Sequence, residues 1–153
     1  MFTPEENPLL TGSDDEVSDF VDCERCMVVD WRGTEEEAID DAARWLPPKA
    51  LTYNVAYNDD ETVTVDLHFR DRKDSMTFPP QEQNNFRVLL RVGRILHPDY
   101  LIKLFRCTGD SDTNAFLLRP AAWWTAFRSQ YPQRHDAIFA ELDALTEMWG
   151  LDV

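Results

Sequence analysis

The sequence predicts an α+β domain: a mainly antiparallel sheet of about five to six strands with helices packed on it. Leu51, Tyr53, Val55 and Tyr57 alternate with smaller or more polar residues, and Val63, Val65, Leu67 and Phe69 do the same beyond a polar Asn58–Glu61 stretch. Two period-two runs joined by a short polar turn are the pattern of an antiparallel hairpin. Thr34 and Glu37 stand at capping-box spacing ahead of Ala38, Ile39, Ala42, Ala43 and Leu46, which starts a helix with an apolar stripe. Phe86, Leu89, Leu90, Gly93 and Leu96 repeat at helical spacing and predict a second. Strands joined by hairpins and separated from helices in this way make an α+β domain.

The remaining elements follow in order. Residues 1–16, with Pro4, Pro8, Gly12 and several acids but no sustained period, read as a loose or partly ordered N-terminal arm, and residues 17–153 as one domain. Val17, Phe20 and Val21 predict a short helix, and Met27 to Trp31 a first strand closed by Gly33. Pro47-Pro48 ends the capped helix. Asp71 to Asp74 reads as a second turn, leading to a strand at Ser75–Phe78 that completes a three-stranded meander. Pro79-Pro80 ends the meander, and His97-Pro98 ends the helix that follows. Tyr100 to Cys107 is apolar on both sides, as in a strand covered on both faces. Gly109 to Asn114 is a turn and Ala115–Leu118 a paired strand. Pro120 suits the first turn of a helix carrying Trp123, Trp124 and Phe127. Pro132 separates it from a final helix with Ile138, Leu142, Leu145 and Trp149.

Charge narrows the function classes. Lys plus Arg total 15 and Asp plus Glu 29, a formal net charge of −14. The excess is lopsided: residues 1–80 hold 20 acids and 7 bases, residues 81–153 hold 9 and 8. Such a field repels phosphate backbones and anionic membranes, so neither nucleic acid nor a membrane is an expected partner. It favours a basic protein, or simply solubility. The first residues lack a basic and hydrophobic leader, and no apolar run approaches the roughly 18 residues that span a bilayer. With three cysteines, an odd and low count, a disulfide scaffold is disfavoured and a cytoplasmic setting expected.

No catalytic or cofactor motif is complete, which points to a binding protein rather than an enzyme, with no cofactor. Cys23-Glu-Arg-Cys26 has the spacing of a zinc or redox pair, but no second ligand pair accompanies it, and it precedes a strand instead of opening a helix. His68, His97 and His135 are dispersed. Five glycines, none clustered, leave no phosphate-binding loop. Asp110 and Asp112 resemble the start of a calcium loop without its later glycine and glutamate. A metal-dependent hydrolase using these clustered acids is the enzymatic alternative. The Trp123-Trp124 pair reads as core, with an exposed indole as the alternative.

Leu96 to Arg106, Asp110 to Leu118, the Trp123-Trp124 helix and the Val28–Trp31 strand before a capped helix resemble, over about half the chain, small acidic bacterial domains. These are regarded as immunity proteins of polymorphic or type VI toxin systems. The resemblance implies a monomer or weak homodimer that neutralises a cognate toxin by occluding a basic active-site cleft. An acidic DNA mimic is the alternative within binding proteins. The acids expected to meet the partner are Asp59, Asp60 and Glu61, with Asp71 and Asp74 or Asp110 and Asp112 nearby. They sit in turns, where a rigid scaffold presents binding residues.

Overall fold

A computed structural model describes residues 2–151 and confirms the α+β class. β1 (Met27–Asp30), β5 (Tyr100–Phe105), β6 (Thr113–Pro120) and β7 (Phe139–Glu141) form a four-stranded sheet in the order β1-β6-β5-β7. β2 (Leu51–Tyr57), β3 (Val63–Phe69) and β4 (Arg72–Phe78) form the expected meander as a separate three-stranded sheet. All strand pairings are antiparallel. The helices are α1 (Asn7–Thr11), α2 (Asp14–Asp22), α3 (Glu35–Ala43), α4 (Asn84–Leu96), α5 (Ala121–Gln130), α6 (Pro132–Ile138) and α7 (Ala144–Trp149).

The strands divide into two sheets because α4 lies between them. It packs against β3 and β4 of the meander and against β5 of the larger sheet. Phe86, Val88, Leu89, Val92 and Leu96 are fully buried, each contributing about 1.5–3 kcal/mol from burial. The meander gives Leu51, Val63, Val65, Leu67, Phe69 and Met76 to this core, and β5 and β6 give Ile102, Leu104, Phe116 and Leu118. The opposite side chains of the larger sheet, Phe105, Ala115 and Leu117, join a second core beneath α1, α2, α5 and α6. β5 is thus covered on both faces, as its unbroken apolar run requires. Trp123 and Trp124 both belong to the second core, edge to face with ring centroids 4.9 Å apart.

Several sequence expectations change. Residues read as a loose arm take up a 3-10 turn at Pro4–Glu6, then α1 and the start of α2. Met1 lies outside the described residues. Leu9 and Leu10 are buried in the second core, and Arg134 donates to the carbonyls of Pro8 and Leu9. Ser13 caps α2 through a capping box with Glu16. The burial of Leu9 and Leu10 comes from contacts made far along the chain, whereas the Ser13–Glu16 box is a local signal at the same spacing as Thr34–Glu37. The single final helix is broken: β7 separates α6 from α7, pairing Phe139 with Phe105 and Glu141 with Lys103. The turn expected over Asp71–Asp74 is tighter, since Phe69 pairs directly with Arg72 and the reversal falls on Arg70 and Asp71. Arg70 supplies the left-handed conformation this needs, at φ 58°.

Two ion-pair clusters fasten the meander to the rest. Asp99, just before β5, receives Arg70 at 3.0 Å and Arg72 as well, and Arg72 also donates to the His97 carbonyl. Both guanidinium groups lie over the Phe69 ring, 5.1 and 5.0 Å from its centre. At mid-strand, Asp74 accepts two bonds from Arg91 of α4, at 2.8 and 2.7 Å.

Candidate functional site

The candidate acids do not form one cluster. Asp59, Asp60 and Glu61 sit exposed in the β2–β3 turn. That turn closes through the Asn58 amide to the Thr62 carbonyl at 2.9 Å, with Glu61 left-handed at φ 68°. Asp60 accepts the Thr62 hydroxyl at 2.6 Å and its amide at 3.1 Å. These bonds, the hydroxyl's first, hold its carboxyl below the usual range. Asp71 is exposed in the β3–β4 turn, at the opposite end of β3. Seven residues of strand separate the two turns, about 20 Å, so Asp71 belongs to another part of the surface. Asp74 is withdrawn altogether by Arg91, whose hydrogen bonds and charge hold its carboxyl low. A bidentate arginine pair leaves an acid little capacity for a partner.

The structure adds two acids that spacing along the chain did not bring into the site. Tyr57, the last residue of β2, donates its hydroxyl toward Glu36 at 3.1 Å and Glu35 at 3.2 Å. Both glutamates occupy the first turn of α3. Partial burial, then the charge of Glu35 and Glu36, pushes the phenol well above its ordinary range, so it remains a neutral donor. Four residues earlier on the same face of β2, Tyr53 donates to Asp40 at 2.7 Å; burial and that carboxylate push it up to about 12. The two tyrosines clamp α3 to β2 and bring the N-terminal acids of α3 to the Asp59–Glu61 turn. Tyr57 is itself 60% exposed, with Met148 one of the two large hydrophobic residues exposed among the described residues. An amphipathic ring ringed by carboxylates is the composition of an interface anchor.

Asp110 and Asp112 are exposed in the β5–β6 connection. The Asp112 carbonyl accepts the Trp31 amide at 3.0 Å, which places it beside the β1–α3 loop and therefore on the α3 side of the molecule. Between that loop and the start of α4 lies a cleft of about 300 Å³, lined by Trp31, Gly33, Glu35, Glu82 and Asn84 among others. Capping-box bonds between Thr34 and Glu37, both 3.2 Å, fix the loop's exit into α3. Among the described residues, no group of three His, Cys, Asp or Glu side chains is placed to hold a metal ion.

Cys23 and Cys26 lie in different surroundings. Cys23 is exposed at the end of α2, while Cys26 is 3% exposed, and both are free thiols. Burial pushes the Cys26 thiol up to about 12, and only the thiolate is a nucleophile or metal ligand. A thiol reagent near neutral pH is expected to label Cys23 and Cys107 in the folded protein and Cys26 only on unfolding. Labelling of Cys26 at the rate of Cys23 would contradict this placement.

A buried polar node lies away from the acidic end. Lys103 is 4% exposed, with its ammonium 2.8 Å from His135 Nε2, 3.0 Å from Glu141 and 5.0 Å from the Trp124 ring centre. His135 is also buried and reaches Asp136 through Nδ1 at 2.8 Å. The node ties β5, α6 and β7 together. Scattered in the chain, its members give no motif. No helix is long and apolar enough to cross a membrane among the described residues. In comparison with known proteins, no family model, no curated protein and no solved structure matches this chain.

Proposed function

We propose that this is an inhibitory binding protein of the immunity type, acting in the cytoplasm on a toxin with a basic surface. The observation that carries the reading is the acidic end: Asp59, Asp60 and Glu61 beside Glu35 and Glu36, with exposed Tyr57 between them. The turn and the helix are held by hydrogen bonds and a capping box, so little ordering is required on binding. Carboxylates at the rim steer a basic partner and raise the association rate, while a desolvated aromatic supplies residence time. Loss of a toxin's activity follows from occlusion and asks no chemistry of the inhibitor.

The test is comparative capture from the native host, with the parent and with Asp59, Asp60 and Glu61 all changed to lysine. A basic protein retained by the parent and lost from the variant, and toxic when expressed without the parent, is the expected result. Equal retention by both proteins would overturn the site. A captured partner whose toxicity the parent does not relieve would overturn the inhibitory reading.

A further inference from the structure

β1 is an edge strand of the larger sheet. Its register with β6 pairs Met27 with Phe116 and Val29 with Asn114. The Trp31 amide bonds to the Asp112 carbonyl, two residues further in the same phase. In an antiparallel ladder the residues that exchange bonds alternate, so Met27, Val29 and Trp31 face β6. Val28 and Asp30 direct their backbone groups outward. The Asp30 carbonyl is already taken by the Gly33 amide at 2.9 Å and Asn85 Nδ2 at 2.7 Å. The Val28 amide, the Val28 carbonyl and the Asp30 amide remain, with no bond to a neighbouring element among the described residues.

Beside this edge runs a groove of about 260 Å³, lined by Val28, Asp30, Thr34, Glu37, Ala38 and Asp41 with their neighbours. The α3 residues fall at spacings of three and four, a single stripe of the helix. This stripe lies away from Glu36 and Asp40, which the β2 tyrosines hold. Ala38 contributes a floor without bulk. The walls are acidic: Glu37 and Asp41 on the helix, Asp30 on the strand. Arg44 contacts Asp41 at 3.1 Å but is itself largely exposed. Burial first, then Glu37, Asp40 and Glu24, outweigh Arg44 and hold the Asp41 carboxyl above its ordinary range. Asp30 is met by Arg32 at 3.6 Å, and that side chain too is largely exposed.

We propose that this groove accepts an extended segment of the partner protein as an added strand on β1, with its lysines or arginines meeting Glu37 and Asp41. Unpaired backbone groups on an edge are a template for strand addition, and pockets for alternate side chains give selectivity. Alternation suits the site: one side of the incoming strand faces the acidic stripe of α3, the other the apolar surface near Val28, which packs on the second core. The proposal rests on the reading of the protein as a binder of a basic partner and adds the mode of contact.

The probe is a fluorescent hexapeptide of alternating lysine and valine, titrated against the full chain and followed by polarisation and amide chemical shifts. Controls are the glutamate–valine counterpart and a lysine–proline counterpart, equal in positive charge but lacking alternate amides. Val28→Pro removes an amide that points away from β6, a place where an edge strand tolerates proline. Asp41→Asn removes a charge without touching the strand, and serves if the proline variant does not fold. The expected result is that the lysine–valine peptide binds at least about tenfold more tightly than either control. Val28→Pro and Asp41→Asn should each weaken it by about the same factor, with shifts in residues 27–31 and 34–41. Equal binding of the lysine–proline peptide, or unchanged binding by the folded variants, would overturn strand addition. Shifts confined to the Asp59–Glu61 turn would overturn the groove while leaving the acidic-end reading standing. A variant with lysine at all three turn positions that loses its captured partner, while Val28→Pro and Asp41→Asn retain theirs, would separate the two in the same way.

Discussion

Replacing Arg119 with alanine is expected to cost about 3–5 kcal/mol of folding stability. Glu6 is 4% exposed, and its carboxylate accepts Arg119 Nε at 2.8 Å and the Thr3 amide at 2.8 Å. The guanidinium also lies 5.5 Å from the Trp45 ring centre and 5.7 Å from that of Trp123. Removing it strips the stacked cation and leaves a buried carboxylate with one backbone donor. Burial alone would raise the Glu6 carboxyl, but the Thr3 amide and Arg119 outweigh it and hold it below its ordinary 4.5. A carboxyl depressed in the folded state stabilises above its unfolded value, and that contribution is lost as pH falls through the folded one. In the alanine variant burial dominates, and protonating Glu6 relieves it. The gap between parent and variant in urea unfolding should therefore begin to narrow above about pH 4.5, where the variant's Glu6 takes up its proton, and go on narrowing below it, where the parent's pair is lost. A gap under 1 kcal/mol near neutral pH, or one that widens in acid, would contradict this assignment.

The same pair shows what was hidden in the sequence. Glu6 and Arg119 are joined across most of the chain, so the Pro4–Gly12 stretch carried only the Thr3–Glu6 capping spacing as a local sign that its backbone would be ordered. β7 was masked differently. Ile138, Leu142, Leu145 and Trp149 fall at helical spacing, and a three-residue strand has no period of its own to set against them. Its pairing with β5 decides its form. Where a local signal was joined to a periodic run it was legible: Thr34 and Glu37 make the capping box their spacing implies, and the meander keeps the register of its alternation. The site was legible in part. The exposed Asp59–Glu61 turn is where the polar stretch put it. Asp74 looked like a turn acid because the Asp71–Asp74 run is polar throughout, yet the strand begins at Arg72. Glu35 and Glu36 joined the site through Tyr57, some twenty residues away, a contact only the packing of α3 on β2 creates.

The larger functional effect is expected from the acidic end itself. Lysine at positions 59, 60 and 61 reverses three exposed charges and removes the two Asp60 bonds to Thr62, at a cost of about 1 kcal/mol in folding stability. Association with a basic partner should nevertheless slow by about tenfold or more at low salt, because steering is lost and repulsion replaces it. Tyr57→Ala should act on the other rate constant. Removing an anchor of this kind costs about 2 kcal/mol in a desolvated interface and should appear as faster dissociation with little change in association. Both variants should remain folded, with melting temperatures lowered by several degrees, since one loses the Asp60 bonds and the other the Tyr57 clamp on α3.

The most direct test of an electrostatically steered acidic docking end is the association rate constant of the captured partner as ionic strength rises. It should be measured for the parent and for the protein with lysine at 59, 60 and 61. The expected result is a steep fall for the parent, a flat or rising line for the variant, and convergence once salt screens charges at about 3 Å, near 1 M. Parallel lines, with the variant binding as fast as the parent at every salt concentration, would contradict it.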